Sequence, residues 1–406
     1  MNKLPNGWQI KKLKDILADE KYSIKRGPFG SSLRKEFFVK EGVRVFEQYN
    51  TINNDPNWCR YRIDKNKYEE LKAFKCRAGD FLISCSGTLG KIILLPENVE
   101  EGIINQALLK IRLNPKLIDN HYFLNLFQYK DFQKRIYKDA GGSAIHNIAS
   151  VNTLKEMDVI LPPLDEQKRI ASALSKIDAY LENTIKLIEE KERFKEGIAK
   201  KLLTCKEGEN VPEMRFKEFN DEWKIIKLGD MFDNFTERNN EDKIMLASTR
   251  DKGVIPNNLT ERKIIRKKES LSNYKLVKKG CFVISLMSFQ GGFEYSDYEG
   301  IISPAYTVLK PKIEMAHYFY KYYFKSYKFI KDLRPYAEGI RHGKQIKFNA
   351  CKDILVPYPS MKEQENIGKL LSLLDAEIDN LKEQKEEIKK MKSGIINKLM
   401  SGEIKI

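Results

Sequence analysis

A stretch of about forty residues occurs twice in this chain, and that duplication limits what it can fold into. Shifted by 197 positions, Asp165–Leu203 falls on Lys362–Met400 without a gap. Glu166-Gln167 meets Glu363-Gln364, Asp178-Ala179 meets Asp375-Ala376, Glu189-Glu190 meets Glu386-Glu387, and Gly197-Ile198 meets Gly394-Ile395. Chance does not hold one register over such a length.

Both copies predict one long helix. In the first, Ile170, Leu174, Ile177, Leu181, Ile188, Ile198 and Leu202 recur at heptad-compatible steps. In the second, Ile367, Leu371, Leu374, Ile378, Leu381, Ile388, Ile395 and Leu399 do the same, with Lys385 and Lys392 interrupting the apolar seam. Neither copy has an internal proline; Pro162-Pro163 and Pro357/Pro359 lie just upstream, where proline is tolerated. Ser360 with Glu363 fits a capping box. Each helix would run roughly 60 Å and is too thin to bury its stripe alone. An ordinary amphipathic helix on a globular core is the plainer alternative. Length, polarity and duplication together favour the two copies pairing with each other as a coiled coil.

The chain has 406 residues and a net charge of +16. Asp165–Lys206 holds ten basic and eight acidic residues, and Ser360–Ile406 nine of each. Nearly all the excess therefore sits in the two blocks outside the helices. A basic surface on globular blocks suits a polyanion, most simply nucleic acid, although a merely soluble basic protein shares that charge. Six scattered cysteines without a CxxC, and four dispersed histidines, exclude a zinc finger and suggest reduced thiols in a cytoplasmic protein. No apolar run reaches the ~20 residues of a membrane span, and the N-terminus lacks a signal-peptide core.

The order is block, helix, block, helix: 1–160, 161–206, 207–358 and 359–406. Block one opens with Trp8, Leu13, Asp15 and Ile16, a short amphipathic helix by its spacing, and Trp223, Leu228 and Asp230 follow 215 positions on. Strand-like runs come next: Val43–Phe46, then Asp80–Ser84, a glycine loop and Ile92–Leu95 as a hairpin, then Ile103-Ile104 and Leu108–Leu113. His121–Ile136 reads as helical. Block two echoes these in Gly280–Ser285, Gly300–Ile302 and His317–Phe319, but its loops differ. The fold class is α+β: two similar globular domains, each mixed sheet plus helices, separated by two long paired helices.

Catalytic motifs were sought without success. Gly87–Lys91 lacks the Walker A spacing, no GxGxxG opens a helix, and HExxH and GxSxG are absent. Asp55-Pro56-Asn57-Trp58 has the outline of an adenine methyltransferase motif but lacks its second proline, and reads as a turn. Binding suits the chain better than catalysis. Lysine, arginine, serine, threonine and glycine-loop amides hold phosphates, while arginine, glutamine and asparagine read base edges. The DNA-contact candidates in block one are Lys25, Arg26, Gly27, Phe29, Gly30 and Ser31, then Ser84, Ser86, Thr88 and Lys91, with His146 and Asn147. In block two they are Arg250, Lys252, Ser285, Ser288 and Gln290, then Arg341, His342, Lys344, Gln345 and Lys347. The same loops read equally as structural turns, and the two histidines as structural residues.

The order of blocks, together with Leu161-Pro162-Pro163-Leu164-Asp165-Glu166-Gln167-Lys168-Arg169-Ile170 and Lys362-Glu363-Gln364-Glu365-Asn366-Ile367, resembles the specificity subunit of type I restriction–modification systems. Gly27-Pro28-Phe29-Gly30-Ser31, Gly79–Ser84 and Ser86-Gly87-Thr88-Leu89-Gly90 are weaker matches, and block two departs from the last. The resemblance implies two target recognition domains, each reading one half of a bipartite asymmetric site in double-stranded DNA, with the two helices paired as an antiparallel coiled coil that acts as a ruler. It implies two methyltransferase subunits and two endonuclease subunits as partners. The chemistry, and the S-adenosylmethionine, ATP and Mg it needs, would belong to them, with no metal or cofactor in this chain. A DNA-binding or scaffold protein of the same architecture outside restriction, or an enzyme with an unrecognised motif, are the alternatives.

Overall fold

A computed structural model describes residues 4–137, 148–260, 268–284, 292–338 and 345–405. It divides into two compact units, Met1–Thr184 with Gln384–Ile406, and Ile185–Glu383. Each unit thus holds one globular block and half of each long helix.

In the first unit Gln9–Lys12 is a strand, paired antiparallel with Asp158–Leu161, and Leu13–Ile16 forms a single 3-10 turn. This corrects the amphipathic helix expected at the start. Leu13 and Ile16, three apart, bury as well in a 3-10 turn as in an α-helix, and the strand's partner lies about 150 residues away, beyond any local pattern. An antiparallel sheet of four strands has the order Ile24–Arg26, Leu108–Ile111, Phe81–Ser84, Ile92–Leu94. A mixed sheet of five has the order Phe38–Val39, Tyr61–Ile63, Val43–Phe46, Gly102–Ile104, Lys75–Cys76, with the third and fourth parallel. Helices Asn120–Gln128 and Lys130–Tyr137 cover the four-stranded sheet, where Phe123 meets Phe81 edge-on at 5.0 Å.

The second unit repeats the plan. Lys224–Lys227 pairs with Leu355–Tyr358, and four strands run in the order Phe232–Phe235, Thr307–Pro311, Phe282–Ile284, Phe293–Tyr295. Among the described residues the counterpart of the mixed sheet is two antiparallel pairs, Leu246–Thr249 with Gly253–Pro256 and Lys275–Val277 with Gly300–Ile302. Met245 bridges Ile301 in the parallel sense, as the first block's parallel pair does.

The long helices span Leu164–Leu203 and Met361–Ser401. Ile170, Leu174, Ile396, Leu399 and Met400 join the core of the first block. Leu202, Leu203, Ile367 and Leu371 join that of the second. In the second unit Lys191 pairs with Glu377 at 2.7 Å and Lys195 with Asp375, so numbers rise on one helix as they fall on the other. In the first unit Lys392 reaches Asp178 at 2.6 Å. The seam takes in Thr184, Lys191 and Lys195 as well as the expected apolar residues. Ile170, Leu174, Ile188, Leu202, Ile367, Leu371, Ile378, Ile388 and Leu399 are buried, while Ile177, Leu181, Ile198, Leu374, Leu381 and Ile395 are half-buried. Lys191, Lys195 and Lys392 bury their stems and bring their ammonium groups out to carboxylates on the facing helix, whereas Lys385 pairs with Glu386 of its own helix.

The Glu-Gln at each helix start has a structural use. The Gln167 amide donates to the carbonyls of Pro162 and Leu117 and accepts from the Asp119 amide at 2.9 Å. Gln364 donates to the Pro359 carbonyl and accepts from the Ala316 amide at 2.9 Å. Each glutamine thereby joins the helix start to the block's own helical layer. Glu166 accepts from the Trp8 indole at 3.1 Å, whereas Glu363 takes a two-pronged bond from Arg215 at 2.7 and 2.8 Å. That use of Glu363 replaces the reciprocal half of the expected capping box; Ser360 still accepts from the Glu363 amide.

All six cysteines are free, and burial pushes the thiols of Cys76, Cys85, Cys281 and Cys351 up. Among the described residues, no helix is long and apolar enough to cross a membrane, and no three side chains group to hold a metal.

Candidate nucleic-acid interface

In the first block the C-terminal ends of four strands converge on one tight turn, Asn105–Leu108. Ile24–Arg26 ends beside Leu109, and the Gly27 amide donates to the Leu108 carbonyl at 2.8 Å. Phe81–Ser84 ends opposite Leu108, and the Cys85 amide donates to the Ala107 carbonyl at 2.7 Å. Gly102–Ile104 runs directly into the turn, and its parallel neighbour ends at Phe46, whose carbonyl accepts from the Asn105 amide at 3.0 Å. A Cβ at Gly27 would lie 1.8 Å from the Asn105 carbonyl oxygen, so close backbone approach requires glycine there.

Two of the expected loops, Lys25–Ser31 and Ser84–Lys91, therefore leave the same rim. Phe29 is 87% exposed and Gly30-Ser31 lie in an exposed 3-10 turn. Lys25 is half-buried, its ammonium over the rings of Tyr22 and Phe74, and Arg26 is half-buried too. Ser84 is buried and its hydroxyl is used inside its own loop, donating to the Thr88 carbonyl at 2.6 Å and accepting from the Lys91 amide at 2.9 Å. Gln48 donates its amide to the carbonyls of Ser86 and Thr88. These bonds leave the Thr88 and Lys91 side chains exposed on a fixed backbone. Asp80 of the Gly79–Ser84 run is fully buried and bonds Arg112 through both oxygens, at 2.5 and 2.7 Å. Asp55 accepts from the amides of Asn57 and Trp58, so Asp55–Trp58 is the turn its sequence suggested.

The second block builds the same rim from different loops. Phe232–Phe235 and Phe282–Ile284 end beside Thr307-Val308, and Gly300–Ile302 runs into the turn Ser303–Tyr306. The hairpin Leu246–Pro256 brings Arg250 and Lys252 to an exposed three-residue tip, closed by Gly253 at φ +73°. The Gly253 backbone lies against the Tyr295 carbonyl. Lys325 donates to the Arg250 carbonyl at 2.8 Å and to Glu294 at 2.5 Å. Burial pushes the Glu294 carboxyl up to about 7, while Lys325 opposes the rise. Lys347 is exposed just before the helix Phe348–Cys351, and Gln345 lies in a two-residue strand with Ile346. His146, Asn147, Ser285, Ser288, Gln290, Arg341, His342 and Lys344 lie outside the described residues.

The sequence reading passed over Asn105 and Gln106, which occupy the centre of the first rim. Nothing local marks them, because the rim exists only once four strands distant in sequence are paired.

One α+β scaffold used twice, each copy rimmed by its own loops and joined to half of each long helix, defines a duplicated two-domain protein. The family model for the type I restriction modification DNA specificity domain matches residues 5–190 and 220–390. The chain belongs to that family. It is 26% identical over 427 aligned positions to a putative type I restriction enzyme MjaX specificity subunit from Methanocaldococcus jannaschii, covering 100% of this chain and 96% of the relative. It is 23% identical to a putative type I specificity subunit from Mycoplasma genitalium, covering 94% and 92%. Among solved structures it resembles the M. genitalium type I S subunit, with TM-score 0.54, 18% identity and 98% and 97% coverage. A chain from a study of complex assembly and conformational transition of the type I R-M system gives TM-score 0.61, 15% identity and full coverage of both chains. The likeness to the solved structures concerns the fold.

Proposed function

We propose that this chain is the DNA-recognition subunit of a type I restriction–modification complex and carries no catalytic site of its own. Each domain reads one half of a bipartite, asymmetric site in double-stranded DNA, and the helix pair sets the spacing and docks the methyltransferase subunits. Two methyltransferase subunits and two endonuclease subunits are its partners in the cytoplasm. They bring S-adenosylmethionine, ATP and Mg for adenine methylation and ATP-driven cleavage. The observation that carries this reading is the pair of equivalent rims with unequal loops. Lysine and exposed loop amides at each rim suit phosphates, and unequal loops suit unequal half-sites. Half-sites on one DNA face lie about one turn, roughly 34 Å, apart, a length that helices of this size can span.

Two changes test it, with the assembled complex and methylome sequencing as the readout. Exchanging residues 1–160 for those of a relative is expected to alter one half-site only. Lengthening the first long helix by one heptad is expected to change the spacer and leave both halves intact. Alteration of both halves by the exchange, or an unchanged spacer, would refute independent readers on a ruler.

A further inference from the structure

The turn Asn105–Leu108 is locked on three sides, by the Asn105 amide to Phe46, the Gly27 amide to Leu108 and the Cys85 amide to Ala107. It is also closed on itself: the Leu108 amide donates to the Asn105 carbonyl at 3.2 Å, and the Ala107 amide donates to the Asn105 side chain at 3.1 Å. Asn105 is thus used in holding the turn. Gln106 is not: it is exposed, and among the described residues its amide has no hydrogen-bond partner. So fixed a backbone sets the Cα of Gln106 more closely than a free loop would and leaves its amide open to a partner. It stands between the loop that begins at Gly27 and the loop that begins at Cys85, both of which bond the same turn through their backbone amides.

We infer that Gln106 is a base-reading residue of the first domain, its amide donating to and accepting from one adenine in the major groove. The inference rests on the recognition function proposed above and assigns one base of one half-site to one side chain. An amide carries a donor and an acceptor side by side, matching the acceptor N7 and the donor N6 amino group of adenine. The second domain has no counterpart. Its equivalent turn is Ser303–Tyr306, where Ile302 corresponds to Ile104 and Pro304 therefore corresponds to Gln106. Proline offers no side-chain donor or acceptor, so this place in the scaffold reads a base in one half-site only.

The test uses the full chain assembled with its methyltransferase subunits, selecting from a duplex library randomised over both half-sites, for the wild type, Gln106→Ala and Gln106→Glu. A good bidentate pair is worth roughly 5- to 150-fold in discrimination. Gln106→Ala is expected to lose preference of that size at one adenine and to leave every other position and the thermal midpoint unchanged. Gln106→Glu, now an acceptor only, is expected to shift that position to cytosine, whose N4 amino group donates. Selection of the unaltered wild-type site by Gln106→Glu overturns the inference while leaving the recognition function standing. Loss of selectivity across both halves with a lowered midpoint overturns it too, by making Gln106 structural. A wild-type complex that selects no sequence would remove the recognition function and this inference together.

Discussion

Lys195 on the first long helix holds Asp375 on the second, and the residues 197 positions from each, Lys392 and Asp178, hold each other. The repeat has thus kept a contact as well as a sequence, making it once in each unit. The seam position is the same in both copies, and its lysine carries an apolar stem into the helix interface. In the first unit the Lys392 side chain is 14% exposed and that of Asp178 is 49% exposed. A half-exposed ion pair contributes about 0.2–1 kcal/mol, less than a buried leucine side chain. Lys392→Leu is therefore expected to raise stability by about 1 kcal/mol, seen as a higher denaturant midpoint. A lower midpoint would mean that the charge, not the stem, holds the seam.

The helix-entry glutamines share two bonds, to a backbone amide and to a proline carbonyl, and Gln167 adds a third to the Leu117 carbonyl. Gln167→Ala and Gln364→Ala should each leave a backbone amide and a proline carbonyl unpaired. The expected cost is about 1–3 kcal/mol each, and similar for the two variants. Equilibrium unfolding of the full chain checks both, and a cost confined to one of them would show that the shared geometry does not carry shared energetics.

Glu294 makes the second domain's stability depend on pH. Between about 4.5 and 7 the folded chain keeps a proton on this carboxyl that the unfolded chain has released, so raising the pH favours unfolding. The stability contributed by the neutral carboxyl is fully present below 4.5 and is gone above 7. Glu294→Gln cannot titrate, and its amide oxygen still accepts from Lys325. Its unfolding free energy is expected to be flatter over this window by on the order of 1–3 kcal/mol. Parallel pH profiles for the two proteins would exclude the effect.

Lys91 gives a contrast to Gln106. A phosphate contact, the role proposed for this lysine, carries no sequence information, so Lys91→Ala should weaken binding to every duplex alike. The slope of log K against log salt should fall in magnitude by about 0.9 for the one contact removed. Titration at several salt concentrations measures this, and an unchanged slope would place Lys91 away from DNA.

Much of this could be read in the sequence where the physics is local. The helices follow from apolar spacing and one constant offset of 197, and the duplicated blocks from offsets that shift from 215 at Trp8 to 198 at Gly102. Thr184, Lys191 and Lys195 escaped the seam because an apolar pattern cannot register residues that enter an interface by their stems or small size. The strand Gln9–Lys12 and the parallel pairing of Val43–Phe46 with Gly102–Ile104 depend on partners far along the chain. For the same reason the loops of the first rim could be listed, but the turn between them could not. Ser84 illustrates the converse: a serine in a glycine loop suggests a ligand, yet its hydroxyl is occupied in shaping the loop.

Ile396, Leu399 and Met400, with Gly402 against Pro5, close the core that begins at Trp8. During synthesis on the ribosome, block one must wait with one side open until the residues around Met400 have followed it. A stop codon ahead of Ile396 would therefore damage a block translated long before it.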